Sequence, residues 1–549
     1  MNEQKKSNDK NKDYRILVMG FDRDVKMYVL SKEEMTGIDK HTIEKIGIDA
    51  GILMEHAGYN AAQFIAGQVE EEAKIGIFSG HGNNGGDGFV IARCLKNLGF
   101  ESVVFFVGNR ERMSQETTAN FELLEKLGIG IIPISSTKEW EEIAAVQFCE
   151  EKPGFRGLID ALFGIGFKGE LPELQAKILT TLNTLPGKKF AVDICSGLNA
   201  NTGQTEKAFK ADYTLTMAAP KYGHFLGKGR EYSGRVIAID IGIPQNVWQD
   251  KCPAVNLITA DNISYPYRNR FYHKGDYGRV AIIAGSPGFS GAAVLAAKAA
   301  LRAGSGLITL FHHQGMEAIY ETNLVEIMTK TLPFSEEEIM HSGYAAEDRI
   351  RTVPGIKELL SALELYDVLL IGPGLGVNPL STALVNIVTM EWEKPALFDA
   401  DALNILAHYP HWLQRCEKKP FVLTPHIGEF ARMTHVSIQE VLQDPVGAVK
   451  QFLSEYDCHL LLKGITRIFA NRSGMFFDIS GNDGLATGGS GDVLAGIIVS
   501  FLGQKLLPSE AATAGSYLLG TTAESCSLLK KTAAVTPSDI IANLFLKDE

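Results

Sequence analysis

The chain has 549 residues, 45% of them hydrophobic, a length that exceeds what one hydrophobic core usually serves and calls for two domains. Its formal net charge of −12 argues against nucleic acid or an anionic membrane as the main partner, so any phosphate-bearing ligand must be caught by local loops. Seven cysteines without a CxxC pair read as reduced thiols of a cytoplasmic protein, and no stretch offers the run of about 18 apolar residues that a membrane span needs.

Residues 1–27 read as a disordered or irregular tail: the opening is almost wholly polar, and Ile16-Leu17-Val18-Met19 is too brief for a secretory or spanning segment. From Met27 to Trp248 short apolar runs alternate with helical patterns, the mark of a mostly parallel sheet covered on both faces. Strands are expected at 75–79, 102–107, 130–134, 157–160, 190–194 and 213–217, and helices at 89–98, 116–127 and 174–182. Between the first strand and the first helix, Gly80-His81-Gly82-Asn83-Asn84-Gly85-Gly86-Asp87-Gly88 reads as a loop. It is not GxGxxG, but it sets amide carbonyls and a carboxylate among exposed N–H groups, which suits a phosphate or a monovalent cation. Two later strands end in Asp160 and Asp193; an aspartate there is often a cap or turn former, but two beside an Asn-Gly loop favour a site.

The pattern breaks around Pro244 to Arg270, and the domain boundary is expected near residue 255. Alternation then restarts, with strands at 279–284, 368–371, 396–398, 421–424 and 459–462, an alanine-rich helix at 292–302, and closing helices at 493–502 and 510–519. Gly-Pro-Gly at 372–374, Asp399 to Asn404, Thr424 to Glu429 and Lys463 to Thr466 stand at strand ends and favour a single crevice. The most informative stretch is Gly484-Leu485-Ala486-Thr487-Gly488-Gly489-Ser490-Gly491-Asp492. Its glycines turn N–H groups inward at a helix N-terminus, which builds an anion site beside a carboxylate able to take a proton.

Together, Gly82 to Gly88, Asp160 to Gly164, Val192 to Gly197 and Ala219 to His224 resemble the YjeF N-terminal domain, the NAD(P)H-hydrate epimerase, over nearly all of residues 28–250. The resemblance implies a potassium ion held by Asn84, Asp160 and Ser196. It further implies a hydrated nicotinamide nucleotide bound by Asn83, Asn84, Gly85, Gly86 and Asp87 and by Gly164, Ile165, Gly166, Phe167, Lys168, Gly169 and Glu170, with Asp193 at the reacting centre. Two positions depart from the family's usual pattern: Cys195 stands where proline is common, and His56 where asparagine is usual.

The second-half motifs resemble the YjeF C-terminal domain, the ADP- or ATP-dependent NAD(P)H-hydrate dehydratase of the ribokinase-like superfamily, over about residues 265–549. That resemblance implies an adenine nucleotide on Lys463, Gly464, Ile465, Thr466, Arg467 and Gly491, the hydrate on Ala292, Gly376 and His426, and Asp492 as catalytic acid-base. The fold class expected is α/β in two domains, Rossmann-like then ribokinase-like, each a mostly parallel sheet with helices on both faces. The function expected is a bifunctional repair enzyme that epimerises R and S NADHX and NADPHX and dehydrates the S form with ADP (or ATP), with magnesium as the nucleotide's counter-ion, working as a homo-oligomer. The alternative is a ribokinase-like small-molecule kinase fused to a non-catalytic nucleotide-binding module.

Overall fold

The computed structural model describes residues 17–19, 27–148, 154–251, 253–342 and 350–544. The chain divides into two compact units, Met1–Asn256 and Leu257–Glu549.

The first unit is an eight-stranded, wholly parallel sheet. Its strands are β1 (Leu17–Met19), β3 (Lys74–Ser79), β4 (Glu101–Phe106), β5 (Gly130–Pro133), β6 (Gly157–Ala161), β7 (Lys188–Val192), β8 (Tyr213–Met217) and β9 (Arg235–Ile239), in the order β1-β9-β8-β7-β6-β3-β4-β5. A separate short strand, β2 (Tyr28–Val29), pairs antiparallel with β10 (Val255–Leu257). β6 is buried along its whole length, as a parallel strand covered on both faces requires. The chain passes from β3 to β4 on one side and returns to β6 on the other, so the crevice where strand order reverses opens between β3 and β6.

The second unit repeats the logic. β11 (Arg279–Ile283), β12 (Leu307–His312), β13 (Met328–Thr331), β14 (Val368–Ile371), β15 (Ala396–Phe398), β16 (Phe421–Leu423) and β17 (His459–Leu462) run parallel in the order β13-β12-β11-β14-β15-β16-β17. An antiparallel extension, β18 (Arg467–Asn471) and β19 (Gly474–Asp478), continues it. Here the reversal falls between β11 and β14. The alanine-rich helix Ser290–Arg302 lies so close to Ser490–Gly503 that a Cβ on Gly496 would stand 2.2 Å from the Ala296 carbonyl oxygen.

Several expectations are corrected. The polar opening of the chain lies outside the described residues, but Leu17–Met19, read as part of an irregular tail, is an edge strand paired with β9. The Asn-Gly segment is mostly helix: Asn83–Asn97 begins at the first asparagine, with Gly82 as an uncapped N-terminus. Glycine disfavours helices in isolation, but packing demands it, since a Cβ on Gly85 would meet the Gly80 carbonyl oxygen at 1.9 Å and one on Gly88 the Ser79 Oγ at 2.5 Å. The aperiodic stretch after Pro244 contains a helix, Gln245–Lys251, as well as β10. Among the described residues no helix is long and apolar enough to cross a membrane.

Candidate active sites

In the first unit the C-terminal ends of β3, β6 and β7 bring Asn84, Asp160, Asp193 and Ser196 to one rim of the sheet. Asp160 is fully buried, and its carboxylate accepts from Ser196 N (2.7 Å), Ser196 Oγ (2.6 Å) and Leu162 N (3.2 Å). Burial pushes its pKa up to about 6 against those hydrogen bonds, because no cation among the described residues pairs with it. The Asn84 side chain is buried with neither amide atom bonded, and its Cβ would lie 3.2 Å from a Cβ built on Gly164. A buried carboxylate, an unbonded amide oxygen and a hydroxyl form an oxygen-rich donor set that fits a monovalent cation.

Asp193 follows β7 with φ at +63°, a left-handed conformation that costs a non-glycine residue energy and persists where surrounding contacts fix it. Its Oδ1 accepts from the Lys221 ammonium at 2.5 Å and Met217 N at 3.2 Å, and Lys221 is wholly buried. Lys221 also donates to Thr216 Oγ1 and to the Met217 carbonyl. His224 Nδ1 accepts the Lys221 N–H, so Nε2 carries the ring proton, which it donates to the Asp193 carbonyl. Burial, reinforced by the Lys221 charge, pushes His224 down to about 3 and keeps it neutral. Asp87 is held well above the usual carboxyl range by burial and by the Asp193 and Asp39 carboxylates.

The departures from the family pattern lie apart from this chemistry. Cys195 is packed in the core with Sγ 3.5 Å from Thr214 Oγ1, and burial pushes its thiol up to about 12. His56, on Ala50–Ala66, is exposed, with Nδ1 3.3 Å from the Ile241 carbonyl oxygen. Of the segment 164–170, Gly166 and residues 168–170 are exposed, and the Gly166 carbonyl lies 3.3 Å from the Lys32 ammonium.

In the second unit Gly285 N donates to the Pro373 carbonyl and Ser286 Oγ to the Gly374 carbonyl, closing the β11 and β14 ends on each other. A Cβ on Gly374 would meet the Ala292 Cβ at 2.9 Å, so glycine is required there, and Gly376 N donates to Asp401. Lys463 sends its ammonium to buried Asp399 at 2.6 Å, and Thr424 Oγ1 donates to the same oxygen. A Cβ on Gly491 would stand 3.5 Å from that ammonium, which places the glycine-rich helix start against Lys463. Burial opposes the Lys463 charge, but Asp399 and Glu429 beside it prevail and hold it above the usual lysine range. Asp492, in the first turn of Ser490–Gly503, is raised to about 7 by burial and then by Asp399 and Asp401, against Lys463. Gly489 is the N-cap with φ +100° and no side-chain cap, and Ser490 Oγ is buried and unbonded, so this turn offers free donors to an anion.

Not every expected residue joins that rim through its side chain. Arg467 is buried, and its guanidinium bonds Asp478 (2.7 Å), Ser516 Oγ (2.6 Å) and Ser480 O (2.9 Å), an internal ion-pair network. His426 uses Nδ1 to cap Ile427–Thr434, accepting from Gly428 N at 2.9 Å. Sequence reasoning gave no role to Lys221, Asp399, Asp401 or Glu429, although all stand inside the motifs it singled out. Glu429 is raised to about 7 by burial, with Lys463 opposing. Asp39, in Lys32–His41, carried no signal at all among its charged neighbours.

Fold and sites define a two-unit α/β enzyme with a carboxylate–lysine centre beyond the C-terminal ends of parallel strands in each unit. The family described as YjeF-related protein N-terminus matches residues 50–223, and the family described as NAD(P)H-hydrate dehydratase matches residues 280–545. A bifunctional NAD(P)H-hydrate repair enzyme Nnr from Moorella thermoacetica is 35% identical over 523 residues, covering 94% of this chain and 95% of that protein. The Escherichia coli protein of the same description is 31% identical, covering 92% and 91%. A solved ADP/ATP-dependent NAD(P)H-hydrate dehydratase from Bacillus subtilis is 27% identical with a TM-score of 0.42, covering 52% of this chain and 97% of that one. The chain belongs to the family of bifunctional NAD(P)H-hydrate repair enzymes. Its relatives span both halves, which a vitamin-type kinase does not need.

Proposed function

We propose that the first unit interconverts the R and S forms of NADHX and NADPHX, and that the second dehydrates the S form to NAD(P)H at the expense of ADP. The observation that carries this reading is the pairing, in each unit, of a lysine-bound carboxylate with a raised carboxyl beside it. In the second unit Asp492 takes the proton of the ring hydroxyl as that oxygen attacks the terminal phosphate of the nucleotide. The uncapped N–H groups around Gly489 to Gly491 and the Lys463 charge stabilise the transferring group. Loss of phosphate with the C–O electron pair, and of a proton from the neighbouring carbon, then restores the ring. Lys463 to Thr466 and Gly491 hold the nucleotide with magnesium as its counter-ion, and Ala292, Gly376 and His426 border the hydrate; Arg467 supports them from the core.

In the first unit Asn84, Asp160 and Ser196 would hold potassium, which would supply a fixed positive charge beside the nucleotide. Residues 83–87 and 164–170 bind the nucleotide, and Asp193 faces the reacting carbon. The working form is a cytoplasmic homo-oligomer, which light scattering checks. The central test incubates the protein with a mixed R and S hydrate, with and without ADP, and follows absorbance of the reduced ring. Complete recovery with ADP is expected; a phosphorylated product without reduced nucleotide overturns the reading. Exchanging potassium for a bulky organic cation is expected to slow epimerisation at least several-fold while leaving dehydration unchanged.

A further inference from the structure

Around the first-unit centre, charge does not balance, and the imbalance points to a residue outside the matched family segment 50–223. Lys32–His41 is stapled beside Lys221 through the chain just before it. Leu30 N donates to the Pro220 carbonyl at 2.8 Å, and Tyr222 N donates to the Leu30 carbonyl at 2.9 Å. Tyr222 Oη then donates to Glu34 at 3.1 Å. Met35 and Ile38 bury the helix face, and Asp39, one turn after Met35, is half-buried.

Three carboxyls, Asp39, Asp87 and Asp193, interact there with one cation, Lys221, which the 2.5 Å contact commits to Asp193. His224 is neutral by its two hydrogen bonds, and Asp250 and Lys251 on the neighbouring helix Gln245–Lys251 are exposed. Neither Asp39 nor Asp87 makes a side-chain hydrogen bond among the described residues. Carboxyls so enclosed, without a counter-charge, cannot all ionise, so the cluster retains a proton. Asn84, three residues before Asp87 on the same helix face, adds an unbonded buried amide, the mark of a ligand position rather than a packed interior.

We infer that Asp39 is the proton-carrying residue of this site, giving its proton to the ring hydroxyl of the hydrate and recovering it from the water that returns. The inference rests on the epimerase reading. In the step, the Asp39 proton passes to the hydroxyl oxygen and the C6–O bond breaks, its electron pair leaving with water. The ring-nitrogen lone pair moves into the N1–C6 bond. Water then adds to the opposite face, and the Asp39 carboxylate removes its proton, so no co-reactant is consumed. Asp193 is the counter-ion of the buried Lys221 ammonium, which with Met217 N–H is bound to its Oδ1, so a proton placed on it would break that ion pair. Asp87 is held well above the usual carboxyl range by burial, whereas burial, tempered by Lys221 and reinforced by Asp193, brings Asp39 to about 6, where acid and base forms are both at hand.

The experiment measures R-to-S interconversion by Asp39→Asn, Asp39→Glu and the parent chain from pH 5 to 9, with ADP-dependent dehydration of pure S hydrate as the internal reference. Asp39→Asn is expected to lose about 10²- to 10⁴-fold in kcat with KM within about twofold. The parent's fall in rate above about pH 6 is expected to vanish in Asp39→Asn and to return, on a slower enzyme, in Asp39→Glu. A folded Asp39→Asn that keeps the parent kcat, or loses affinity alone, overturns the inference. If Asp39→Asn does not fold, an Asp39→Glu profile without the alkaline fall does the same. A parent that dehydrates S hydrate but never interconverts the epimers overturns the epimerase reading itself.

Discussion

Asp492 and Lys221 show how a single side chain can be decisive for opposite reasons. Asp492 works through its proton: replacing it with asparagine keeps the shape and removes the base. Asp492→Asn is therefore expected to cut dehydration by about 10²- to 10⁴-fold while epimer interconversion continues at the parent rate, as measured on separate R and S substrates. Lys221 works through its charge. Being wholly buried on Asp193, it leaves an uncompensated carboxylate when removed, so Lys221→Met is expected to cost the first unit about 3–5 kcal/mol in urea unfolding. Adding Asp193→Asn to that variant is expected to recover part of the loss, since the stranded charge then goes too. At this scale the sequence was only partly legible. Asp193 and Asp492 stood out because each follows an apolar strand or opens an apolar helix. Arg467 was read with its neighbours as a ligand contact, yet nothing in the order of residues says that Asp478, Ser480 and Ser516 fold around its guanidinium.

At the level of elements, glycines decide what can approach what. Gly496 lets Ser490–Gly503 lie against Ser290–Arg302, and a methyl group there meets the Ala296 carbonyl oxygen at 2.2 Å. Gly496→Ala is expected to destabilise the second unit by at least about 1–3 kcal/mol, seen as a lower Tm that ADP raises only in part. Gly85 has the same standing in the first unit. Its helix start reads as a loop because four glycines within seven residues, 82–88, lower helix propensity, and only the sheet behind them supplies the compensating packing. Strands such as Val368–Ile371 and Ala396–Phe398 coincide with expectation, since a parallel strand buried on both faces is a continuous apolar run flanked by turn residues.

For the molecule as a whole, the two centres set opposite pH dependences. Dehydration needs Asp492 ionised, and its carboxyl is raised to about 7, so the rate is expected to fall as pH drops below that value. Epimerisation through Asp39 needs the acid form, raised to about 6, so its rate is expected to fall as pH rises beyond it. Assaying both reactions on one preparation across pH 5 to 9 checks the pair; parallel profiles would contradict it. Each unit also has hydrophobic clusters of its own, so the two centres rest on separate cores.

Sequence alone determined the alternation of strands and helices in both halves and the glycine and aspartate motifs at strand ends, because these depend on local periodicity and turn chemistry. Only the tertiary structure decided that Lys221 belongs to Asp193 and Lys463 to Asp399, that Arg467 is spent in the core, and that Asp39 joins a cluster far along the chain. Those pairings depend on desolvation and on the order in which parallel strands lie side by side, and neither is written in the spacing of residues along the chain.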